Sequence, residues 1–223
     1  MEPRHTAITR IALAAADKYG FALAGGYAVS AHGMGARLSG DVDLFTGWDA
    51  RADFPEAVDA VTQALETHGY AVSVVIRNET FARILLTDLG NPQSEPEKLE
   101  LSADWRAHPP VSLAIGPVLH PDDAVANKMC ALFGRAEARD FLDVDAAIQS
   151  GRYTRERLLE LAAAADAGFD LDIFADALGA LRQITDADFD QYGPTRNELA
   201  SLRERFAAWR SDLKALQKPQ AER

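Results

Sequence analysis

Residues 23–46 read LAGGYAVSAHGMGARLSGDVDLFT, and this stretch decides the fold. The apolar run at 21–24 reads as a short strand. It ends in Gly25-Gly26, a turn that leads into a helical segment over Tyr27–His32. Asp41-Val42-Asp43-Leu44-Phe45 then alternates as a second strand should. Successive strand residues point to opposite faces, so Asp41 and Asp43 project together while Val42 and Leu44 point into a core. Neighbouring carboxylates repel one another unless a cation lies between them. Mg²⁺ prefers such oxygen donors and commonly takes one or two carboxylates plus substrate phosphates. The glycines suit a backbone that approaches a phosphate closely. Taken singly, an Asp-x-Asp fits an ordinary surface strand and Gly-Gly fits a plain turn. The order strand, Gly-Gly, helix, Arg37-x-Ser39-x-Asp41-x-Asp43 points instead to a metal-dependent site for a nucleoside triphosphate.

Outward from that stretch, Ile8, Ile11, Ala12 and Ala15 have helical spacing within 6–18. Phe54, Val58, Val61 and Leu65 predict a helix over 54–67 that stops before Gly69. Strands are expected over 70–76, 81–87 and 98–103, with an exposed loop at 90–97. In the last strand Glu100, Ser102 and Asp104 share the face opposite Leu99, Leu101 and Ala103. Glu100, mid-strand, is the first candidate for a third acid and Asp104 the reserve. After Pro109-Pro110 the character changes: Pro121-Asp122-Asp123 opens a helix, 139–149 forms another, and the chain is helical from 154 with breaks near Gly168 and Gly193-Pro194.

The 223 residues are ample for a buried core, and 48% hydrophobic with 26% charged residues is ordinary for a globular protein. No apolar run approaches the roughly 20 residues that span a bilayer, and the first ten residues lack the layout of a secretory signal. The single cysteine, Cys130, excludes an internal disulfide and fits a reducing cytoplasm. The net charge of −11 has the wrong sign for a broad nucleic-acid surface. Residues 195–223 hold seven Lys/Arg against four acids, a local +3, so the other 194 residues carry −14. The five histidines (5, 32, 68, 108 and 120) are widely spaced and predict no histidine cluster. His32 reads as a polar helix-terminal residue rather than a catalytic one.

In a second block, from Asp122 to Asp143, Lys128 interrupts an apolar helix face with a cation that either snorkels to solvent or reaches into a cleft. Residues 24–43 resemble the nucleotidyltransferase superfamily typified by DNA polymerase beta: Ala24-Gly25-Gly26, a slightly long spacer of fourteen residues, then Asp41-Val42-Asp43. Both blocks together resemble the AbiEii/AbiGii-type, MenT-like toxin nucleotidyltransferases. The matching residues are Lys128-Met-Cys-Ala131-Leu132, Arg135 and Arg139-Asp140-Phe141-Leu142-Asp143, and Lys128 follows Asp43 by 85 positions.

That resemblance, over roughly 20–150, implies an α+β chain: a nucleotidyltransferase-like mixed sheet flanked by helices over 1–115, then a helical domain over 116–223 that contributes Lys128 and Asp140 or Asp143. It implies that Asp41 and Asp43, with Glu100, hold Mg²⁺ (or Mn²⁺). Gly25, Gly26, Arg37 and Ser39 would face the phosphates of an NTP (ATP, GTP or CTP), and Lys128 would neutralise the departing pyrophosphate. Asp140 or Asp143 would position Lys128 or act as a base, and Arg135 and Arg139 would pair with these acids or touch the triphosphate. The implied activity is transfer of NMP to an acceptor hydroxyl, the tRNA 3′ end in MenT-like members, by a cytoplasmic toxin paired with an antitoxin. Two other readings stay open. One is modification of a small cationic molecule such as an antibiotic, which the acidic charge would suit. The other is a non-catalytic nucleotide-binding module.

Overall fold

The computed structural model describes residues 1–35, 37 and 39–216. It divides into two compact units, Met1–His32 with Ser39–Ala124, and Gly33–Leu38 with Val125–Arg223. The change of composition at 110–120 precedes this division, which falls inside a helix.

The first unit runs α1 (Pro3–Ala15), β1 (Ala22–Leu23), α2 (Gly25–Ala31), β2 (Asp41–Gly47), α3 (Phe54–Thr67), β3 (Tyr70–Arg77), β4 (Phe81–Asp88), β5 (Glu97–Asp104), β6 (Val111–Leu113) and β7 (Gly116–Val118). One seven-stranded mixed sheet has the order β3-β4-β5-β2-β1-β7-β6. β2 runs parallel to β5 and antiparallel to β1, and β1 runs parallel to β7. Buried and more exposed residues alternate along β2, β4 and β5, which sets the register: Val42, Leu44, Ile84, Leu99 and Leu101 are fully buried on one face. Helix α3 buries Phe54, Ala57, Val58, Val61 and Leu65, a single apolar stripe, and packs on α1 and β3.

Two details differ from the expectation. Gly25-Gly26 is not a turn before the helix but its first two residues, with Ala24 as N-cap and Gly25 at φ +61°. The β6–β7 hairpin was not anticipated. Each strand has three residues, and Pro117 within β7 argues against a strand by its missing N–H.

The second unit is helical: the body of α4 (Pro121–Gly134), α5 (Ala138–Gln149), α6 (Arg155–Ala165), α7 (Leu171–Gly179) and α8 (Arg196–Leu216). Caps define its helices. Thr154 accepts from the Arg157 amide, Asp170 accepts from the amides of Asp172 and Ile173, and Glu137 with Asp140 forms a capping box on α5. Phe141 packs edge-on against Phe206 and Phe174 edge-on against Trp209, and the tilted Phe206–Trp209 pair joins them through its core.

Candidate active site

In the first unit the site begins where β1 gives way to α2. The Ala24 amide donates to the Asp43 carbonyl at 2.8 Å, which carries the next residue, Gly25, over the Asp43 side chain. A Cβ at Gly25 would collide with the Asp43 carboxylate and lie 2.6 Å from its Cγ. Glycine here therefore answers two demands at once: positive φ, and the space its missing side chain leaves to the acid.

Across the parallel ladder Asp41 pairs with Lys98 and Asp43 with Glu100, and Glu100 pairs in turn with Arg83 of β4. Asp41, Asp43 and Glu100 thus share one sheet face. Asp104, the reserve candidate, lies opposite Gly47 at the far end of the strand, where burial raises its pKa. Cations already answer the crowded acids. Lys98 Nζ lies 2.9 Å from Asp41 Oδ2 and 3.6 Å from Glu100 Oε1, and Arg83 Nε donates to Glu100 at 2.8 Å. Burial alone would lower the Lys98 pKa, but its bond to Asp41 outweighs this and raises it. Three oxygen-bearing acids in one row, with no sulfur or imidazole among them, suit a hard dication such as Mg²⁺.

Ser39 is buried and its hydroxyl donates to Asp41 Oδ1 at 3.2 Å, so it orients that acid. A support that the sequence did not reveal stands behind it. Buried His5 bridges Glu97 (2.9 Å) and the Tyr27 hydroxyl (2.6 Å), and that hydroxyl donates to the Ser39 carbonyl at 3.2 Å. Burial raises the Tyr27 pKa, which keeps it a donor. No sequence spacing connects positions 5, 27, 39 and 97; only the folded sheet does. His32 Nε2 contacts the Leu119 carbonyl at 2.8 Å, a structural tether.

The second unit holds its own charged cluster. Asp143 is 3% exposed and grips two cations: Arg37 bidentately, Nε to Oδ1 at 2.6 Å and Nη2 to Oδ2 at 2.8 Å, and Lys128 Nζ at 3.0 Å. Burial alone would raise the Asp143 pKa; Lys128 and then Arg37 override it and hold the carboxyl below its ordinary value. Lys128 is buried with its ammonium on a carboxylate, so it does not snorkel. Asp140 has another task. It is fully buried, takes Arg135 through Nε (2.9 Å) and Nη2 (2.8 Å), and accepts from the Glu137 amide at 3.1 Å. Arg139 pairs with Glu137 at 3.0 Å. Of the two acids offered for Lys128, the geometry joins Asp143 to it and uses Asp140 to cap α5.

The histidine expectation fails. His108 and His120 stack with ring centroids 4.2 Å apart, because the β6–β7 hairpin brings distant sequence positions together.

Residues 7–222 match the family described as nucleotidyl transferase AbiEii toxin, type IV TA system. The chain belongs to the AbiEii toxin family. It is accordingly a nucleotidyltransferase, which sets aside the non-catalytic module. Solved structures with this fold include a Helicobacter pylori protein assigned as a nucleotidyltransferase (17% identity, TM-score 0.58, 97% of this chain and 99% of that one). MenT4, a nucleotidyltransferase toxin from Mycobacterium tuberculosis, is similar at 17% identity and TM-score 0.57, with 98% and 89% covered. JHP933 from Helicobacter pylori follows at 17% identity and TM-score 0.50, with 96% and 97% covered. No protein of curated function matches the chain in sequence. Among the described residues no helix is long and apolar enough to cross a membrane.

Proposed function

We propose that this AbiEii-family chain transfers NMP from an NTP to an acceptor hydroxyl, with Asp41, Asp43 and Glu100 as the carboxylates that hold Mg²⁺ or Mn²⁺. The observation that carries this reading is the row itself: three acids on one face of β2 and β5, with Gly25 lacking a side chain where Asp43 needs room. A dication bound there supplies charge neutralisation at the triphosphate and lowers the pKa of an attacking oxygen. The chain's own residues do the rest. Ser39 fixes the Asp41 carboxylate, and Lys98 and Arg83 relieve repulsion along the row. Gly25 and Gly26 allow close approach of the phosphates to the backbone.

In the helical unit Lys128 is the cation for charge that develops on the leaving pyrophosphate, oriented by Asp143; Arg37 shares that carboxylate and has the same phosphate-facing role. Arg135 and Asp140 support the start of α5, and Arg139 stands beside them. A tRNA 3′ hydroxyl is the first acceptor to examine, and the TA-system family supports a cognate antitoxin as partner in the cytoplasm. The acidic charge of −11 favours a small cationic acceptor as the second reading.

The test is incubation with each α-labelled NTP and Mg²⁺, with tRNA or an aminoglycoside present, and with EDTA as control. Label in RNA supports the first acceptor and label in the drug the second. Absence of metal-dependent transfer to either, with nucleotide bound, contradicts the proposal.

A further inference from the structure

The cluster that sequence spacing hid carries a second proposal, independent of the acid row. His108 precedes β6 and His120 follows β7. The hairpin register, Val111 with Val118 and Leu113 with Gly116, extends to place the two histidines side by side at its base. Their rings stack with an interplanar angle of 22°, and Asp122 opens α4 immediately beyond. One donor atom from each of His108, His120 and Asp122 lies within 4.8 Å of the other two. Donors on a tetrahedral ion with bonds of 2.0–2.1 Å stand about 3.3 Å apart, so small side-chain rotations close the set.

The neighbouring carboxylate makes this more than a chance meeting of polar side chains. Asp123 is 2% exposed and is held by the amides of Ala107 (3.1 Å) and His108 (2.9 Å). Its Oδ1 lies 3.2 Å from His108 Nδ1. A buried carboxylate that accepts from Nδ1–H fixes the tautomer that presents Nε2 as a lone-pair donor, the arrangement found behind metal-bound histidines. His120 is less committed. Its Nδ1 contacts the Asp122 amide at 3.2 Å, and binding a metal through either ring nitrogen gives up that weak contact. The half-exposed rings leave a coordination position open to water.

We propose that His108, His120 and Asp122 bind a borderline transition dication, Zn²⁺ in the first instance, with Asp123 positioning His108. Two imidazoles and one carboxylate are a donor set for Zn²⁺ rather than Mg²⁺, which separates this site from Asp41, Asp43 and Glu100. The ion clips the base of a hairpin whose strands have three residues each, and so pins β6 and the start of α4.

The test uses the tag-free full chain stripped with EDTA. Zn²⁺ is titrated by calorimetry, Co²⁺ by its visible d–d absorption, and amide exchange is followed over 111–118. With Mg²⁺ present in excess to fill the acid row, the expected result is one saturable Zn²⁺ per chain, slowed exchange in the hairpin, and affinity weakened at least about tenfold in His108→Ala and in His120→Ala. Asp123→Asn should weaken it by about 10- to 100-fold, with circular dichroism confirming the fold. Asp43→Asn should bind Zn²⁺ as the wild type does. No saturable Zn²⁺ binding, equal binding in the His108→Ala/His120→Ala double variant, or loss in Asp43→Asn alone would each overturn the proposal.

Discussion

The carboxylate of Asp43 occupies the space that a side chain on Gly25 would need. A strand-borne acid and the first residue of a helix are thereby matched in shape as well as in sequence order. The matching explains why the Gly-Gly and Asp-x-Asp elements belong to one feature.

Gly25→Ala should therefore damage both fold and activity. Alanine at φ +61° costs about 1–2 kcal/mol before any clash is counted. Urea denaturation of Gly25→Ala, Asp43→Ala and the double variant should show a coupling of about 0.5–3 kcal/mol, with the double variant less destabilised than the single costs add up to. Additive costs would mean that the two positions do not compete for space.

Lys98 stands between Asp41 and Glu100 as a resident cation. Lys98→Met removes it, so the variant should depend more on added metal than the wild type does. A thermal melt should show a larger drop in EDTA and a larger gain in Mg²⁺ for the variant, as expected when a ligand binds only the folded state. Equal responses in both proteins would remove Lys98 from the account.

Asp143→Asn leaves Arg37 and Lys128 without their shared buried carboxylate. Removing one partner of a buried pair costs about 3–5 kcal/mol, and a loss of that order should appear in chemical denaturation. A loss under about 0.5 kcal/mol, the size typical of a surface substitution, would count against the cluster.

The same acid sets a pH dependence. Its folded pKa lies below the ordinary value, so its stabilising contribution is full above the unfolded aspartate pKa, about 3.9, and is lost as pH falls through the folded value. The stability gap between wild type and Asp143→Asn should stay level from neutral pH to about pH 5 and close below about pH 4. A gap that widens with acid would reverse the sign.

Much of this arrangement was legible in the chain, where each element announces itself by local pattern. Phe54–Thr67 has an apolar residue at every helical turn, and the structure starts and stops that helix at those residues. Alternation in β2 and β5 was enough to put Asp41, Asp43 and Glu100 on polar faces; strand pairing then places Glu100 beside Asp43 and Asp104 opposite Gly47. Partners brought together only by the sheet left no such trace. Lys98 and Arg83 sit beside the acids through cross-strand register, and His5 reaches Tyr27 across 22 positions. His108 and His120 meet because a hairpin of three-residue strands forms, and strands that short carry no readable period.

The most direct test of the central claim is labelled-NMP transfer by Asp43→Asn beside the wild type, at saturating Mg²⁺ and with the fold checked by circular dichroism. Loss of metal-held charge stabilisation worth several kcal/mol predicts a fall of at least about a thousandfold with the fold unchanged. Transfer by a folded Asp43→Asn within about tenfold of wild type would contradict the assignment of this acid row as the catalytic centre.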